Sequence, residues 1–223
     1  MREETIVKIL DEIDENIPDS SEFTATELDY LEKFSIHEAD YIRSRVAVIL
    51  ADFSEQRGEN ILLKLAKDKD PLVRVEACDS LSYSETSSTY EFLKKTAKQD
   101  KNSMVRGYAI SSLAEISKIL HKNSETKEFL IEILGNEKVI FTKINIYKAL
   151  YDMGEKQYLE YLLKSLNTRI YQNRCAVVRL LEEIINDENR QEIKEALKDR
   201  KKHEKSIAVS STISNFLKQI EEE

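Results

Sequence analysis

No tryptophan occurs in this chain of 223 residues, and glycine (4), proline (2), cysteine (2) and histidine (3) are scarce. Each shortage removes a class of explanation. The glycines, at 58, 107, 135 and 154, stand alone, so no phosphate-cradling glycine loop can be built, and no serine sits in a Gly-x-Ser-x-Gly turn. Cys78 and Cys175 are too few and too far apart for a disulfide framework or a zinc site, and both are expected as small buried hydrophobes. Long apolar runs are missing too, and Met1-Arg2-Glu3-Glu4 lacks the basic start and apolar core of a signal peptide. A cytoplasmic protein without a membrane partner is the expectation. Helix interiors exclude glycine and proline, so their scarcity, with 34% charged and 41% hydrophobic residues, points to helices joined by short connections.

Positive charge is also in short supply, but only locally. The net charge is -8, and residues 1–34 hold 11 acids against 3 bases, whereas the rest of the chain balances. The acidity belongs to the entry segment. No global positive field exists to gather nucleic acid, which is therefore not an expected partner.

What the chain does have is a repeated pattern. Asp68, Pro71, Val73-Arg74, Ala77 and Leu81 return as Asp100, Val105-Arg106, Ala109 and Leu113, with a fainter copy at Ile42-Arg43, Val46 and Leu50. Indexed on the basic residue, the repeats fall at Arg43, Arg74, Arg106, Lys143 and Arg174, at intervals of 31, 32, 37 and 31 residues. Three and seven positions on stand Val46 and Leu50, Ala77 and Leu81, Ala109 and Leu113, Ile146 and Leu150, Val177 and Leu181. Those offsets share one helix face. Each unit reads as a helical hairpin with one apolar side that it buries only by stacking on its neighbours.

The expected segments are an acidic capping helix over 1–20, hairpins over 25–53, 59–84, 88–120, 124–153, 155–185 and 188–217, and an acidic tail over 218–223. Ser88 and Glu91 are spaced as a capping box, Gly58, Gly135 and Gly154 as helix ends, and the longer interval near Ile119–Ser124 as extra helix and loop. The last hairpin fits the apolar offsets at Val209, Ile213 and Phe216 only after a slip of one residue. Six positions before the basic residue stand Asp68, Asp100 and Glu137, placed to pair with a neighbouring arginine and fix the stacking of layers. His37 and Thr168 interrupt that ladder.

These residues resemble HEAT repeats, above all the short bacterial type related to the repeats of phycobilin lyases. The resemblance implies an all-α, right-handed alpha-alpha superhelix of five to six hairpins with an N-terminal capping helix, whose second helices line the concave side. Offsets +2, +5 and +9 from the basic residue point away from the core within about 60° of one another. They supply the candidate partner-binding residues: Arg45, Asp52, Glu76, Asp79, Tyr83, Tyr108, Glu115, Asn145, Lys148, Asp152, Arg179 and Glu183. The +9 column is mostly acidic, so the expected partner is a protein or peptide with basic residues, anchored by Tyr83 and Tyr108.

No catalytic residue, cofactor or metal is expected. His37-Glu38 and His203-Glu204 have the form of the His-Glu pairs of deoxyhypusine hydroxylase, but two pairs near opposite ends of an array build no di-iron site. The alternative function is an enzyme or nucleic-acid module on the same fold, bilin-lyase-like or DNA-glycosylase-like. An acidic column and the missing tryptophan weigh against the glycosylase. The basic run Lys198–Lys205 reads as a solvated turn.

Overall fold

Among the described residues the chain forms thirteen α-helices, because its apolar residues recur at helical spacing and its polar residues cluster at the turns. The computed structural model describes residues 1–15, 23–52 and 55–222. In order the helices are α1 Glu3–Glu15, α2 Ala25–Phe34, α3 Asp40–Ile49, α4 Gln56–Leu65, α5 Pro71–Ser80, α6 Ser87–Gln99, α7 Ser103–Ile119, α8 Asn123–Leu134, α9 Ile140–Asp152, α10 Tyr158–Ser165, α11 Tyr171–Ile184, α12 Arg190–His203 and α13 Ile207–Glu222. Short 3-10 turns, Leu50–Asp52 and Leu81–Tyr83, extend α3 and α5. Among the described residues there is no strand, and no helix is long and apolar enough to cross a membrane. Pro18, Ser20, Ser21 and Phe53, with the expected segment ends they mark, and Glu223 of the tail lie outside the described residues.

Two compact units divide the chain, Met1–Thr126 and Lys127–Glu223. In the first, α3 packs on α5 and α5 on α7, so the second helices of successive hairpins lie side by side. In the second, α9 packs on α11 and α11 on α13 in the same way. All ten residues at offsets +3 and +7 have no exposed surface or at most 1%. Burying one such side chain contributes about 1.5–3 kcal/mol for Val, Leu or Ile, which is what draws each hairpin onto the next. The amphipathic face of α1 is held by buried Ile6, Leu10 and Ile13.

The last hairpin corrects the expected slip. With Ser210 in the arginine's place, Ile213 (0% exposed) and Leu217 (7%) hold offsets +3 and +7 and Glu204 stands six residues before, so register is kept and only the arginine is missing. The run Lys198–His203 is likewise not a turn but the end of α12, where lysine and arginine suit the negative end of the helix dipole.

Helix ends show where hydroxyls and carboxylates win over the simpler reading. Asp70 caps α5, accepting from the N–H of Leu72 at 2.8 Å with Pro71 at the first helical position, and Asn102 does the same for α7 with Met104 at 2.8 Å. The capping box is Thr24 with Glu27, not Ser88 with Glu91. α6 starts earlier than expected because the Thr86 hydroxyl accepts from the N–H of Thr89. Gly58 is not a helix end: it is buried inside α4. The long interval goes almost wholly into α7, 17 residues, leaving only Leu120–Lys122 before α8.

Gly154 does end a helix. Its φ of +93° lets its N–H donate to the Tyr151 carbonyl (2.9 Å) and that of Glu155 to the Leu150 carbonyl (3.0 Å), satisfying the last turn of α9. A Cβ there would meet nothing within 4 Å, so Gly154→Ala tests backbone strain alone. It is expected to cost about 1 kcal/mol in urea unfolding.

Candidate functional site

Arg43, Arg74 and Arg174, buried at offset zero, define what surrounds the candidate face. In the first unit Arg43 donates through Nε and Nη2 to both oxygens of Asp68 (2.7 and 2.9 Å), and Arg74 does so to Asp100 (2.9 and 3.0 Å). Nη1 of Arg43 reaches back to the carbonyls of His37 and Glu38 (2.7 and 2.8 Å), and that of Arg74 to those of Asp68 and Lys69 (2.8 and 3.3 Å). Each acid also accepts from the N–H two residues on, Asp70 or Asn102, at 2.8 Å. One arginine thus ties its own interhelical turn to the next. Burial opposes charge on Asp68, but the Arg43 hydrogen bonds and the Asp70 N–H outweigh it and hold its carboxyl below the usual range.

The second unit has the same joint, at a place the sequence reading assigned to a His-Glu pair. Arg174 donates to both oxygens of Glu204 at 2.8 Å, and Arg200 adds two bonds to Oε2 (2.9 and 2.8 Å). The Glu204 carboxylate has 0% exposure, and the Arg174 hydrogen bonds above all lower its pKa to about 2. His37 is similarly committed, its Nδ1 accepting from the N–H of Ala39 at 3.1 Å. Among the described residues no group of three or more His, Cys, Asp or Glu is placed to hold a metal. Where Thr168 takes the acid's position, its hydroxyl oxygen is buried without a hydrogen-bond partner.

Against that frame the expected face splits. Arg45 is drawn onto α1, with Asp14 at 2.6 Å and Asp11 at 3.1 Å. Of Asp52 the structure gives the backbone, which closes the 3-10 turn; its side chain lies outside the described residues. In the first unit Glu76 is half-buried, Asp79 exposed, Tyr108 half-buried, and Tyr83 70% exposed. Glu115 pairs within its own helix with Lys118 at 2.8 Å. In the second unit Asn145 is buried, its amide donating to the Phe141 carbonyl at 2.8 Å, so that +2 position faces the fold and not a partner. Lys148 sits between Asp152 (3.0 Å) and Glu183 (3.1 Å), and Arg179 is exposed. The continuous acidic stripe expected from the +9 column is therefore interrupted by lysines at offsets +5 and +12.

Glu76 keeps its charge problem. Burial, then the nearby charge of Asp79, push its carboxyl above the ordinary range, and no cation lies against it among the described residues. A different carboxylate, Glu59, is 2% exposed but fully answered: its Oε1 accepts from the hydroxyls of Ser84, Thr86 (2.6 Å) and Thr89 (2.6 Å), and Oε2 from Gln56 at 2.7 Å. Those bonds outweigh desolvation and lower its pKa. Sequence reading missed it, though a glutamate three residues into a helix, followed downstream by a Ser-x-Thr-x-x-Thr run, was a visible signal. It also missed Tyr147, Tyr158 and Tyr161, whose rings pack with centroids 5.3–5.9 Å apart on α9 and α10. Cys78 is buried, which pushes its thiol up to about 12 and leaves it unreactive; Cys175 is only half-buried.

The hairpin stack with its arginine-to-acid joints is now matched by comparison. The family model for HEAT repeats fits residues 28–114. Over that stretch the chain carries HEAT repeats. A structure of similar fold is that of the complex of CpcE and CpcF of phycocyanin lyase from Nostoc sp. PCC7120, with 15% identity, a TM-score of 0.54, and coverage of 97% of this chain and 88% of that one. Human deoxyhypusine hydroxylase in complex with glycerol aligns at 13% identity over 99% of both chains with a TM-score of 0.45, too loose to carry any role across. No curated protein matches the chain in sequence. At such identities the HEAT-type architecture is what is shared, and fold alone does not transfer a reaction.

Proposed function

We propose that this chain is a non-enzymatic binding module that takes a protein or peptide with basic residues on the second-helix face of residues 1–126. Glu76 and Asp79 are its charged contacts, Tyr83 and Tyr108 its aromatic ones. The observation that carries this reading is Glu76: a half-buried carboxylate beside a second acid, held above its ordinary pKa with no cation among the described residues to relieve it. A lysine or arginine brought by a partner would supply that cation in a partly desolvated place, where it counts for more than at an open surface. Tyr83, 70% exposed at the end of the same helix, offers a large amphipathic ring at low entropic cost. The phycocyanin lyase neighbour is a complex of two chains, and association of a helical array with another protein is the mode inferred here.

Affinity capture from the cell of origin with immobilised wild-type chain, Tyr83→Ala/Tyr108→Ala and Glu76→Gln/Asp79→Asn tests this. The partner recovered by the wild type is expected to be lost, by about tenfold or more, with either variant. Equal recovery on all three would remove the face from the account.

A further inference from the structure

The interhelical turns of the second unit carry a pattern that the binding face does not use. Five residues before offset zero stand Lys138, Arg169 and Lys205, all exposed, and none in an ion pair among the described residues. Within the next two residues come exposed apolar side chains: Val139 (41%) and Ile140 (36%), Ile170 (57%) and Tyr171 (46%), and, after Ser206, Ile207 (87%). Because α9, α11 and α13 pack side by side, these three turns lie along one edge of the unit. Lys201 and Lys202, exposed in the last turn of α12, join that end through the Glu204–Ser206 connection. Its acids are Glu137, which accepts from the N–H groups of Lys138 and Val139, Glu204, enclosed by Arg174 and Arg200, and the exposed Asp199.

The first unit holds bases at the same offset, Lys69 and Lys101, both exposed, and differs from the second in the residue that follows them. There two of the three N-cap residues, Asp70 and Asn102, accept helix N–H groups through their side chains, and only Ala39 does not; in the second unit the same positions hold Val139 and Ile170, which cap nothing. A stabilising cap has been replaced by an exposed branched apolar side chain, twice, next to an unpaired base. The chain's overall acidity does not oppose an anion here, since residues 127–223 hold 17 bases and 17 acids.

We infer that this edge of residues 127–223 is a docking surface for an anionic lipid bilayer, with Lys138, Arg169 and Lys205 against the headgroups and Ile170, Tyr171 and Ile207 inserted among them. Charge complementarity gives the sign of the occupant. Protrusion gives its softness: an isoleucine with 87% of its surface in water stands out from the fold, and an acyl layer accepts it without a matching groove. Tyrosine suits the headgroup level, and lysine and arginine can lay their stems along the apolar side chains while keeping their charge at the phosphates. This revises the expectation of no membrane partner, which rested on the lack of a spanning segment.

Co-sedimentation of the full chain with vesicles of phosphatidylcholine alone, and of phosphatidylcholine with phosphatidylserine, tests the inference. The wild type is expected to bind the mixed vesicles, less so as salt rises, and to ignore the neutral ones. K138E/R169E/K205E is expected to lose about 100-fold in partitioning, and I170S/I207S about tenfold with charge unchanged. All five side chains are exposed, so both variants should melt like the wild type, which circular dichroism checks. Wild-type protein that ignores the mixed vesicles, as an edge built for an acidic protein segment would, overturns the inference; so does equal binding to both vesicle types, or binding that survives both variants.

Discussion

Arg74→Ala is expected to lower the stability of the chain by about 3–5 kcal/mol, the scale for removing one partner of a buried ion pair. The guanidinium is 6% exposed and bonded to both oxygens of Asp100 and to two carbonyls of its own turn. Its loss leaves Asp100, 13% exposed, with the Asn102 N–H but no arginine, and leaves two turn carbonyls short of a donor. For a chain of this length that corresponds to a fall in melting temperature of about 10 °C. Arg74→Met with Asp100→Leu should recover part of the loss, since the stranded charge goes as well. Full recovery is not expected, because Asp100 also orders the turn before α7. Urea unfolding of the two single variants and the double variant separates these contributions; a single variant as stable as the wild type would contradict the joint's assigned role.

The second large effect concerns acid. Glu204 has a folded-state pKa of about 2 against an ordinary value of 4.5. A carboxyl that binds its proton less readily when folded contributes stability that is complete above about pH 4.5 and disappears as pH falls toward 2. At 1.36 kcal/mol per unit, the contribution is about 3 kcal/mol at neutral pH. Glu204→Gln should therefore be less stable than the wild type at pH 7 and should lose less on acidification, so that the two converge near pH 2. Asp68, whose pKa is also lowered, acts in the same direction and gives both proteins a shared acid slope. Parallel stability curves between pH 5 and 2 would show that Glu204 carries no such burden.

How far the sequence could be read depended on distance along the chain. The apolar offsets +3 and +7 were legible because each lies within two turns of the residue that indexes it. The partners of Arg43 and Arg74 were legible because the same aspartate spacing occurs twice. Glu204 was not, since Ser210 replaces the basic residue that would have indexed it. Among the site residues, Glu76 and Tyr83 point outward as the helix wheel requires. Arg45 does too, but α1 lays Asp11 and Asp14 across it from more than thirty residues away, which no local pattern announces. Asn145 turns inward because a short amide can satisfy itself on its own helix and leave the space to packing. Lys148 silences two acids that the helix wheel placed in one column, because a lysine stem spans neighbouring helices and a wheel has no third dimension.

The arginine joint has a direction. Arg43, Arg74 and Arg174 each look forward to an acid that follows by 25, 26 or 30 residues, and backward to backbone carbonyls, which any sequence provides. A hairpin copied in tandem thus arrives already fitted to both neighbours: its acid meets the arginine before it, and its arginine awaits the next acid. The grammar is that of a word that can be repeated but not reversed. Lengthening such an array needs only duplication of a whole period, with no matched mutation elsewhere, whereas a cut at any other phase leaves a buried arginine without its acid.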